Sequence, residues 1–419
     1  KMNKTQLEQM GACAVNAAKS LQTATAQQKN IFFEEAIKLI QKNTNEILDA
    51  NLQDINDAHS KNKDDAFIDR LRLDNARIDG ICDALNEIQT FPDPVGKTLA
   101  SWKRPNGLQI DRVSTPLGVI GIIFESRPNV ASDASALCIK SGNAVILRSG
   151  SDGLRTSKAI VLQIQNALKN AELPKFAVQI VDSTERAAVD LMLGGLGNTI
   201  DVIVPRGGKS LVEAVERSAK VPVFGHLEGI CHIFIDKQAS HDIAINVCLN
   251  SKMRRPGICG AVETLLLHEN IKESIGKAVI EELLQAGCEV RGCEQTLELS
   301  KDVKSASDDD WSTEYLAPII SIKIVKDLDE AIKHIREFGT GHTESIISSD
   351  KAAQDQFTNE IDSAIVMVNS STQFADGGEF GLGGEIGIAT GKFHARGPVG
   401  VEQLTSFKYL VRGDGQVRK

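Results

Sequence analysis

The chain has 419 residues, of which 42% are hydrophobic and 25% are charged, and its formal net charge is -9. A chain of this size can bury a sizeable core and suggests two or three domains. The acidic balance disfavours nucleic acid or an anionic membrane as the main partner, although it leaves room for a small anionic substrate held by local arginines.

The cysteines and the amino-terminal region indicate the compartment. The eight cysteines are scattered and form no C-x-x-C pair, which disfavours a structural zinc site or a disulfide framework and favours a reducing cytosol. The spacing of the eight histidines predicts no metal site. No signal-peptide pattern is visible, and the longest apolar run, residues 117–124, is too short to cross a bilayer. We therefore expect a cytoplasmic protein.

The first 90 or so residues are predicted to be helical. Apolar side chains recur three and four residues apart across residues 31–40, and a similar pattern covers residues 67–88. Residues 98–116 then form a polar, strand-like excursion, in which Asn106-Gly107 predicts a hairpin turn.

Apolar strands alternate with helices from residue 117 onward. The predicted strands cover residues 117–124, 143–148, 176–181 and 199–205, and the predicted helices cover residues 130–141, 152–170, 185–193 and 209–219. This alternation predicts a doubly wound parallel sheet, which binds ligands beyond the carboxyl ends of its strands. A second α/β region is predicted from about residue 229, with strands near residues 231–235, 262–267, 317–325 and 363–368. A glycine-rich segment and a late strand in the tail follow, and an acidic patch at residues 308–310 is expected to be a solvated loop.

Cys259 is the candidate nucleophile. It lies in a glycine-containing loop just before an apolar strand, and Arg254 and Arg255 nearby would favour the reactive thiolate. The alternative is that a free cysteine is simply a small buried hydrophobe. That reading is preferred for three cysteines in apolar periodic stretches, namely Cys138, Cys231 and Cys248.

Polar residues follow the first strand of the predicted parallel sheet. Asn129 could donate its amide N–H to an oxyanion, or it could cap the following helix. Arg127 could pair with a carboxylate or phosphate, or it could form a surface ion pair.

Gly207 and Gly208 follow the fourth strand and precede a helix, where backbone N–H groups attract phosphate. An ordinary strand-to-helix turn is the alternative. A nucleotide P-loop is rejected, because the position that needs its first glycine holds Ile203.

Taken together in order, these segments resemble the aldehyde dehydrogenase superfamily and, more closely, its gamma-glutamyl phosphate reductase branch. The resemblance runs nearly end to end and is carried by motifs such as PLGVIGIIFESRPNV, IDVIVPRGGKSL, RPGICGAVETLLLH and KFHARGP. It implies an aldehyde dehydrogenase-like α/β fold. Its parts would be a cofactor domain (residues 1–97 and 117–228), a catalytic domain (229–399) and a small β oligomerisation element (98–116 and 400–419).

The resemblance also implies roles for individual residues. Cys259 would be the nucleophile, and its backbone N–H and the Asn129 side chain would stabilise the oxyanion. Arg148 would face the adenosine ribose, and Ser151 stands where NAD-preferring relatives carry a glutamate, which suits the 2′-phosphate of NADPH. Glu314 would hold the nicotinamide ribose.

Glu228 marks a departure from the aldehyde-oxidising relatives. It stands near the position of their general base, but the Gly-Gly-Lys that follows that base is missing. A reductase that releases phosphate needs no base to activate water, so Glu228 is left outside the expected catalytic set.

The implied activity is the NADPH-dependent reduction of L-glutamyl 5-phosphate to L-glutamate 5-semialdehyde and phosphate through a Cys259 thioester. Arg255 and Arg127 are the expected substrate-binding residues. Glutamate 5-kinase would be the upstream enzyme, and a homodimer or homotetramer is expected. The alternatives are a coenzyme A-acylating dehydrogenase, a non-catalytic relative, and a thiol hydrolase that would leave the cofactor sheet without a role.

Overall fold

The computed structural model describes residues 3–418 and divides the chain into two compact units. The first unit comprises the residues up to Gly225, Gly381–Gly387 and the residues from Val399 onward. The second comprises His226–Phe380 and Ile388–Pro398. Among the described residues, no helix has the length and apolar character needed to span a membrane.

The helices follow the predicted pattern closely through the first unit. They are α1 (Lys4–Leu21), α2 (Ala26–Lys42), α3 (Thr44–Ser60), α4 (Asp65–Leu71), α5 (Asn75–Thr90), α6 (Asn129–Lys140), α7 (Leu154–Asn170), α8 (Arg186–Leu193), α9 (Lys209–Ser218), α10 (His241–Met253), α11 (Lys277–Gln285), α12 (Glu294–Leu297), α13 (Leu328–Phe338) and α14 (Lys351–Glu360). The apolar face of α2 is buried, as its spacing predicts, and Thr25 begins the helix with a capping box.

The strands belong to several sheets. They are β1 (Thr98–Lys103), β2 (Gln109–Pro116), β3 (Val119–Phe124), β4 (Ala144–Ser149), β5 (Val178–Ile180), β6 (Val202–Arg206), β7 (Cys231–Ile235), β8 (Val262–His268), β9 (Glu289–Gly292), β10 (Lys304–Ser305), β11 (Ile319–Val325), β12 (Thr343–Ile347), β13 (Ile365–Val368), β14 (Ile388–Ala389), β15 (Gly397–Pro398) and β16 (Thr405–Arg412).

The first unit contains a parallel sheet with the strand order β5-β4-β3-β6. Strand β3 is central and all of its residues are buried, which explains its unbroken apolar sequence. The chain runs from β3 to β4 and β5 on one side and returns to β6 on the other. The order therefore reverses between β3 and β6, and such switch points are where doubly wound sheets bind ligands.

A separate antiparallel sheet in the first unit joins β1, β2 and the tail strand β16. Its turn contains Gly107 with a φ of 92°, a conformation that favours glycine. Large apolar side chains stay exposed on this sheet: Leu99, Trp102, Phe407, Tyr409 and Val411. The sheet thus has an apolar surface that its own chain leaves uncovered.

The second unit contains a parallel sheet with the order β10-β9-β11-β8-β7-β12-β13. Three of these strands, β9, β10 and β12, lack the continuous apolar sequence that predicts a buried strand. Strand β12 is fully buried although it begins Thr-Glu-Ser, because the Glu344 carboxylate accepts hydrogen bonds from the backbone N–H (2.7 Å) and ring Nδ1 (3.0 Å) of His232 on β7. A carboxylate satisfied in this way can stand inside a sheet.

The acidic patch at residues 308–310 was expected to be a solvated loop, and this expectation is wrong for Asp310, whose side chain is buried. Its carboxylate accepts hydrogen bonds from Arg291 (2.7 Å), the Tyr315 hydroxyl (2.7 Å) and the backbone N–H of Ser307 (2.7 Å). These partners outweigh the effect of burial and lower the pKa of Asp310 to about 2. The patch therefore anchors the segment that leads to Glu314.

Candidate active site

Cys259 lies at the amino end of β8, in the loop between α10 and that strand, and is partly exposed. Two contacts fix its backbone. The Cys231 thiol donates to the Cys259 carbonyl at 3.2 Å, and a Cβ on Gly229 would come within 2.1 Å of the same carbonyl oxygen. Only glycine therefore allows the 229 segment to lie directly on the cysteine loop.

Two histidines accompany this thiol. Cys259 Sγ and one ring nitrogen each of His226 and His342 all lie within 4.8 Å of one another. The two imidazoles meet edge to face, with their centroids 4.8 Å apart. Burial, with a smaller contribution from His226, lowers the pKa of His342 to about 3, so its imidazole is neutral near pH 7.

A buried ion pair and a side-chain hydrogen bond stabilise the loop before β8, which contains Cys259. Lys252, on the last turn of α10, forms a fully buried ion pair with Glu263 on β8, with 2.6 Å between Nζ and Oε2. Burial raises the pKa of Glu263 to about 7 against the opposing effect of Lys252. Gln373 holds the loop from the other side, through its hydrogen bond to the Arg255 carbonyl at 3.3 Å.

Arg255 itself is exposed, and no described acid lies within ion-pair distance of its guanidinium. Its neighbour Arg254 instead donates to the Gln373 side chain at 3.3 Å. Of the two arginines before Cys259, Arg254 thus forms a hydrogen bond within the loop, while the Arg255 guanidinium faces solvent.

Glu314 reaches the same region from the segment after residue 310. Its carboxylate accepts the Gly229 N–H at 2.9 Å, next to the point where Gly229 lies on the Cys259 carbonyl. Glu228 is partly buried and precedes this contact. The second unit thus gathers Cys259, Glu314 and the 226–229 segment, which are far apart in sequence.

In the first unit, the segment after β3 carries Arg127 and Asn129. Arg127 is exposed, and Asn129 is the first residue of α6 rather than its cap. The Asn129 amide donates to Asp133, one turn later, at 2.9 Å. Desolvation raises the pKa of Asp133 to about 6, opposed by this hydrogen bond and by Arg206. Because one hydrogen of the Asn129 amide is bonded to Asp133, the direction of the second amide hydrogen is also fixed.

A cavity of about 370 Å³ opens beyond the carboxyl ends of β3 and β4. Its lining comprises Phe67, Glu125, Ser126, Arg148, Gly150, Ser151 and Asp152. The Arg148 Nε is buried without a hydrogen-bond partner among the described residues. A cation and a hydroxyl that share one cavity suit a phosphorylated ribose.

Two further cations stand close to this cavity. Lys61 and Lys63 approach the Asp152 carboxylate to 2.6 Å and 3.6 Å, and they hold the pKa of Asp152 below its usual value against the effect of burial. Sequence reasoning missed both lysines, because they come from the segment between α3 and α4 and no local pattern joins them to Ser151.

Gly207 and Gly208 lie at the start of α9, as expected, but their surroundings already contain an anion. The Gly208 N–H donates to the Glu125 carboxylate at 3.2 Å, and a Cβ on Gly207 would come within 2.6 Å of the Glu125 Cδ. A phosphate at this helix start would therefore have to displace Glu125.

Comparison with known proteins places the chain in a family. Residues 1–289 and 300–410 match the profile of the aldehyde dehydrogenase family. The chain belongs to the aldehyde dehydrogenase family. Members of this family use nicotinamide dinucleotides as redox cofactors, and the family fold is the α/β architecture described above.

Individual relatives refine the position within the aldehyde dehydrogenase family. The chain is 54% identical over 98% of its length to gamma-glutamyl phosphate reductase from Parvibaculum lavamentivorans, and covers 97% of that protein. It is also 54% identical to the enzyme of this name from Brucella suis, with 98% of each chain covered. The crystal structure of gamma-glutamyl phosphate reductase from Thermotoga maritima matches with a TM-score of 0.96 and 44% identity, over 99% of this chain and 100% of that one.

Proposed function

We propose that this chain reduces L-glutamyl 5-phosphate to L-glutamate 5-semialdehyde and phosphate with NADPH, as a step of proline biosynthesis. The observation that carries the proposal is the 54% identity, over nearly the whole chain, to relatives named for this activity. The placement of a partly exposed thiol in a braced loop at a strand end supports it. A non-catalytic relative would have no need of that arrangement.

In the proposed mechanism, the Cys259 thiolate attacks the acyl carbon, the carbon–oxygen bond to phosphate breaks, and phosphate leaves. The thioester holds the acyl group on the chain and divides one displacement into two steps. The Cys259 N–H and the Asn129 amide stabilise the oxyanion. Glu314 would hold the nicotinamide ribose of the cofactor, and the cavity beside Arg148 would hold its adenosine ribose. When bound, NADPH would supply the hydride to the thioester carbonyl carbon, and cleavage of the carbon–sulfur bond would then release the aldehyde and restore the Cys259 thiolate.

The experiment that tests this function runs the reaction in the oxidative direction. Purified protein with L-glutamate 5-semialdehyde should reduce NADP⁺ only when phosphate is present, and Cys259→Ala should abolish the reaction. Coenzyme A in place of phosphate should give no product. If coenzyme A alone supports turnover, the chain is an acylating dehydrogenase, and the proposal is wrong.

Cofactor choice gives a second prediction, which concerns Ser151. Ser151→Glu should raise the KM for NADPH by about tenfold and leave the KM for NADH within about twofold, since a carboxylate repels the 2′-phosphate and accepts from a 2′-hydroxyl. Initial rates with the two cofactors measure this. Ser305→Glu serves as the control, because Ser305 is exposed and its replacement adds the same charge in the other unit. Equal effects on both cofactors would place the 2′-phosphate elsewhere.

Substrate anchoring by Arg255 gives a third prediction. The exposed guanidinium can donate two parallel hydrogen bonds to a carboxylate or phosphate, and Arg255→Lys loses that geometry while it keeps the charge. The KM for substrate should rise about tenfold, while the rate of Cys259 alkylation stays unchanged. Slower alkylation with an unchanged KM would show that Arg255 tunes the thiol, and Arg127 would become the anchor to test.

We also propose a homodimer or homotetramer, in which the exposed apolar side chains of the β1-β2-β16 sheet are covered by another copy. Exposed apolar side chains that cluster on one sheet are typical of a protein–protein interaction surface. Light scattering that gives the mass of one chain would contradict this. None of the eight cysteines forms a disulfide, which agrees with the cytosol as the proposed compartment, where glutamate 5-kinase would supply the substrate.

A further inference from the structure

Three soft or borderline ligand groups lie together at the amino ends of neighbouring strands. The strands β8, β7 and β12 are adjacent in the order of the sheet. Cys259 precedes β8, His226 precedes β7, and His342 immediately precedes β12. Because the three strands are parallel, their amino ends meet at one edge, and the Sγ and one nitrogen of each ring come within 4.8 Å of one another.

The two imidazoles are held in the way that metal-binding histidines usually are. The His226 Nδ1 lies 2.7 Å from the Ile388 carbonyl oxygen, which fixes the ring and its tautomer. The His342 Nδ1 lies 2.8 Å from the Thr343 hydroxyl, and its Nε2 is buried with no hydrogen-bond partner among the residues described. A buried ring nitrogen without a partner is a cost that a bound cation would remove.

We infer that Cys259, His226 and His342 form a binding site for a borderline divalent cation of the Zn²⁺ class, which reversibly blocks the nucleophile. One thiolate and two imidazoles are ligands that Zn²⁺ prefers, whereas Mg²⁺ and Ca²⁺ select oxygen. Three protein ligands leave the fourth tetrahedral position to water. The inference goes beyond the proposed reaction, which needs no metal.

The geometry requires only small side-chain movements. Tetrahedral Zn²⁺ bonds of about 2.0–2.3 Å place ligand atoms about 3.4–3.6 Å apart. The present atoms, which lie within 4.8 Å of one another, therefore need to approach by at most about 1.4 Å. Cys259 and His226 are partly exposed and can rotate, while the fully buried His342 provides a fixed point.

Binding has a definite chemical consequence. In the bound state, the sulfur lone pair that would attack an acyl carbon is shared with the cation, so neither the acyl substrate nor an alkylating reagent can use it. Removing the cation with a chelator breaks the sulfur–metal bond and restores the free thiolate. The bound cation would thus protect the Cys259 thiol from alkylation and prevent its reaction with the acyl substrate.

The test measures binding directly and does not depend on turnover. Reduced, chelator-stripped full-length protein is titrated with Zn²⁺ against a chromogenic chelator, and with Co²⁺ for the absorption band of a cobalt–thiolate bond. One equivalent should bind, the Co²⁺ band should appear, and Zn²⁺ should slow iodoacetamide labelling of Cys259 at least about tenfold, reversibly by EDTA. His226→Ala and Cys259→Ala should each weaken binding at least about tenfold.

Controls keep the inference falsifiable. Cys13→Ala, which removes another partly exposed free thiol, should bind as wild type does. His226→Ala is preferred to a His342 variant, since His342 is buried and its loss could impair folding; thermal melts check this. Zn²⁺ affinity unchanged in both His226→Ala and Cys259→Ala, or no cobalt–thiolate band, would overturn the inference. The phosphate-dependent assay on metal-free protein judges the proposed function separately.

Discussion

Cys259→Ser is expected to fold and to bind NADPH as the wild type does, but to lose at least about 10³-fold in turnover. The serine hydroxyl is close to the thiol in size, but it is neutral near pH 7 and therefore a much poorer nucleophile than a thiolate. The contacts that fix the loop should survive, because they involve the residue 259 carbonyl rather than its side chain. Steady-state turnover, thermal melting and NADPH fluorescence titration measure the three expectations.

A matched control for this change is Cys13→Ser. Cys13 is also a free, partly exposed cysteine, and it lies on α1 in the other unit. Its replacement should leave turnover within about twofold. Near-normal activity of Cys259→Ser would contradict the covalent mechanism. If the variant loses activity and also melts at a lower temperature than the wild type, the residue is needed for folding instead.

Asn129→Ala is expected to lower turnover about 10²–10³-fold, with a much smaller change in the KM for substrate. The role assigned to the amide is to donate to an oxyanion that exists only during the reaction, so its loss should affect the reaction barrier more than substrate binding. The hydrogen bond to Asp133 orients the amide before substrate arrives. Separate kcat and KM values measure the effect.

The control for Asn129 is another asparagine with the same kind of partner. The Asn170 amide donates to the Glu35 carboxylate at 2.6 Å, at the exposed end of α7. Asn170→Ala breaks an equivalent hydrogen bond and should leave kcat within about twofold. If Asn129→Ala also keeps wild-type kcat, the amide has no part in stabilising the oxyanion.

The parallel sheet of the first unit is predictable from sequence, because its strands are largely buried and therefore appear as apolar runs. Strand β3 is the clearest example, and its helical neighbours follow the three-and-four spacing. Strand β12 fails this test, since its Thr-Glu-Ser start is polar. Its burial depends on His232, more than 100 residues earlier, and a local pattern holds no trace of that partner.

The candidate site is predictable only in part, for the same reason. Cys259 stands out through its glycine loop, its arginines and the family motif around it. His226 and His342 have no local feature that sets them apart, because they meet Cys259 only through the order of the strands β8, β7 and β12. Asp133, which orients the Asn129 amide, lies only one helical turn away in the sequence. A carboxylate at that spacing is a local feature from which this hydrogen bond could have been predicted.

The pairing of β16 with β2 has a consequence for how the chain is made. Thr405 pairs with Pro116 and Arg412 with Gln109, so the sheet joins segments almost 300 residues apart. During synthesis, β2 is complete long before β16 exists. One edge of β2 therefore stays unpaired until β16 has been made, and unpaired edges attract other strands. We expect nascent chains of this protein to require protection at β2, and truncations before residue 405 to aggregate rather than to remain soluble.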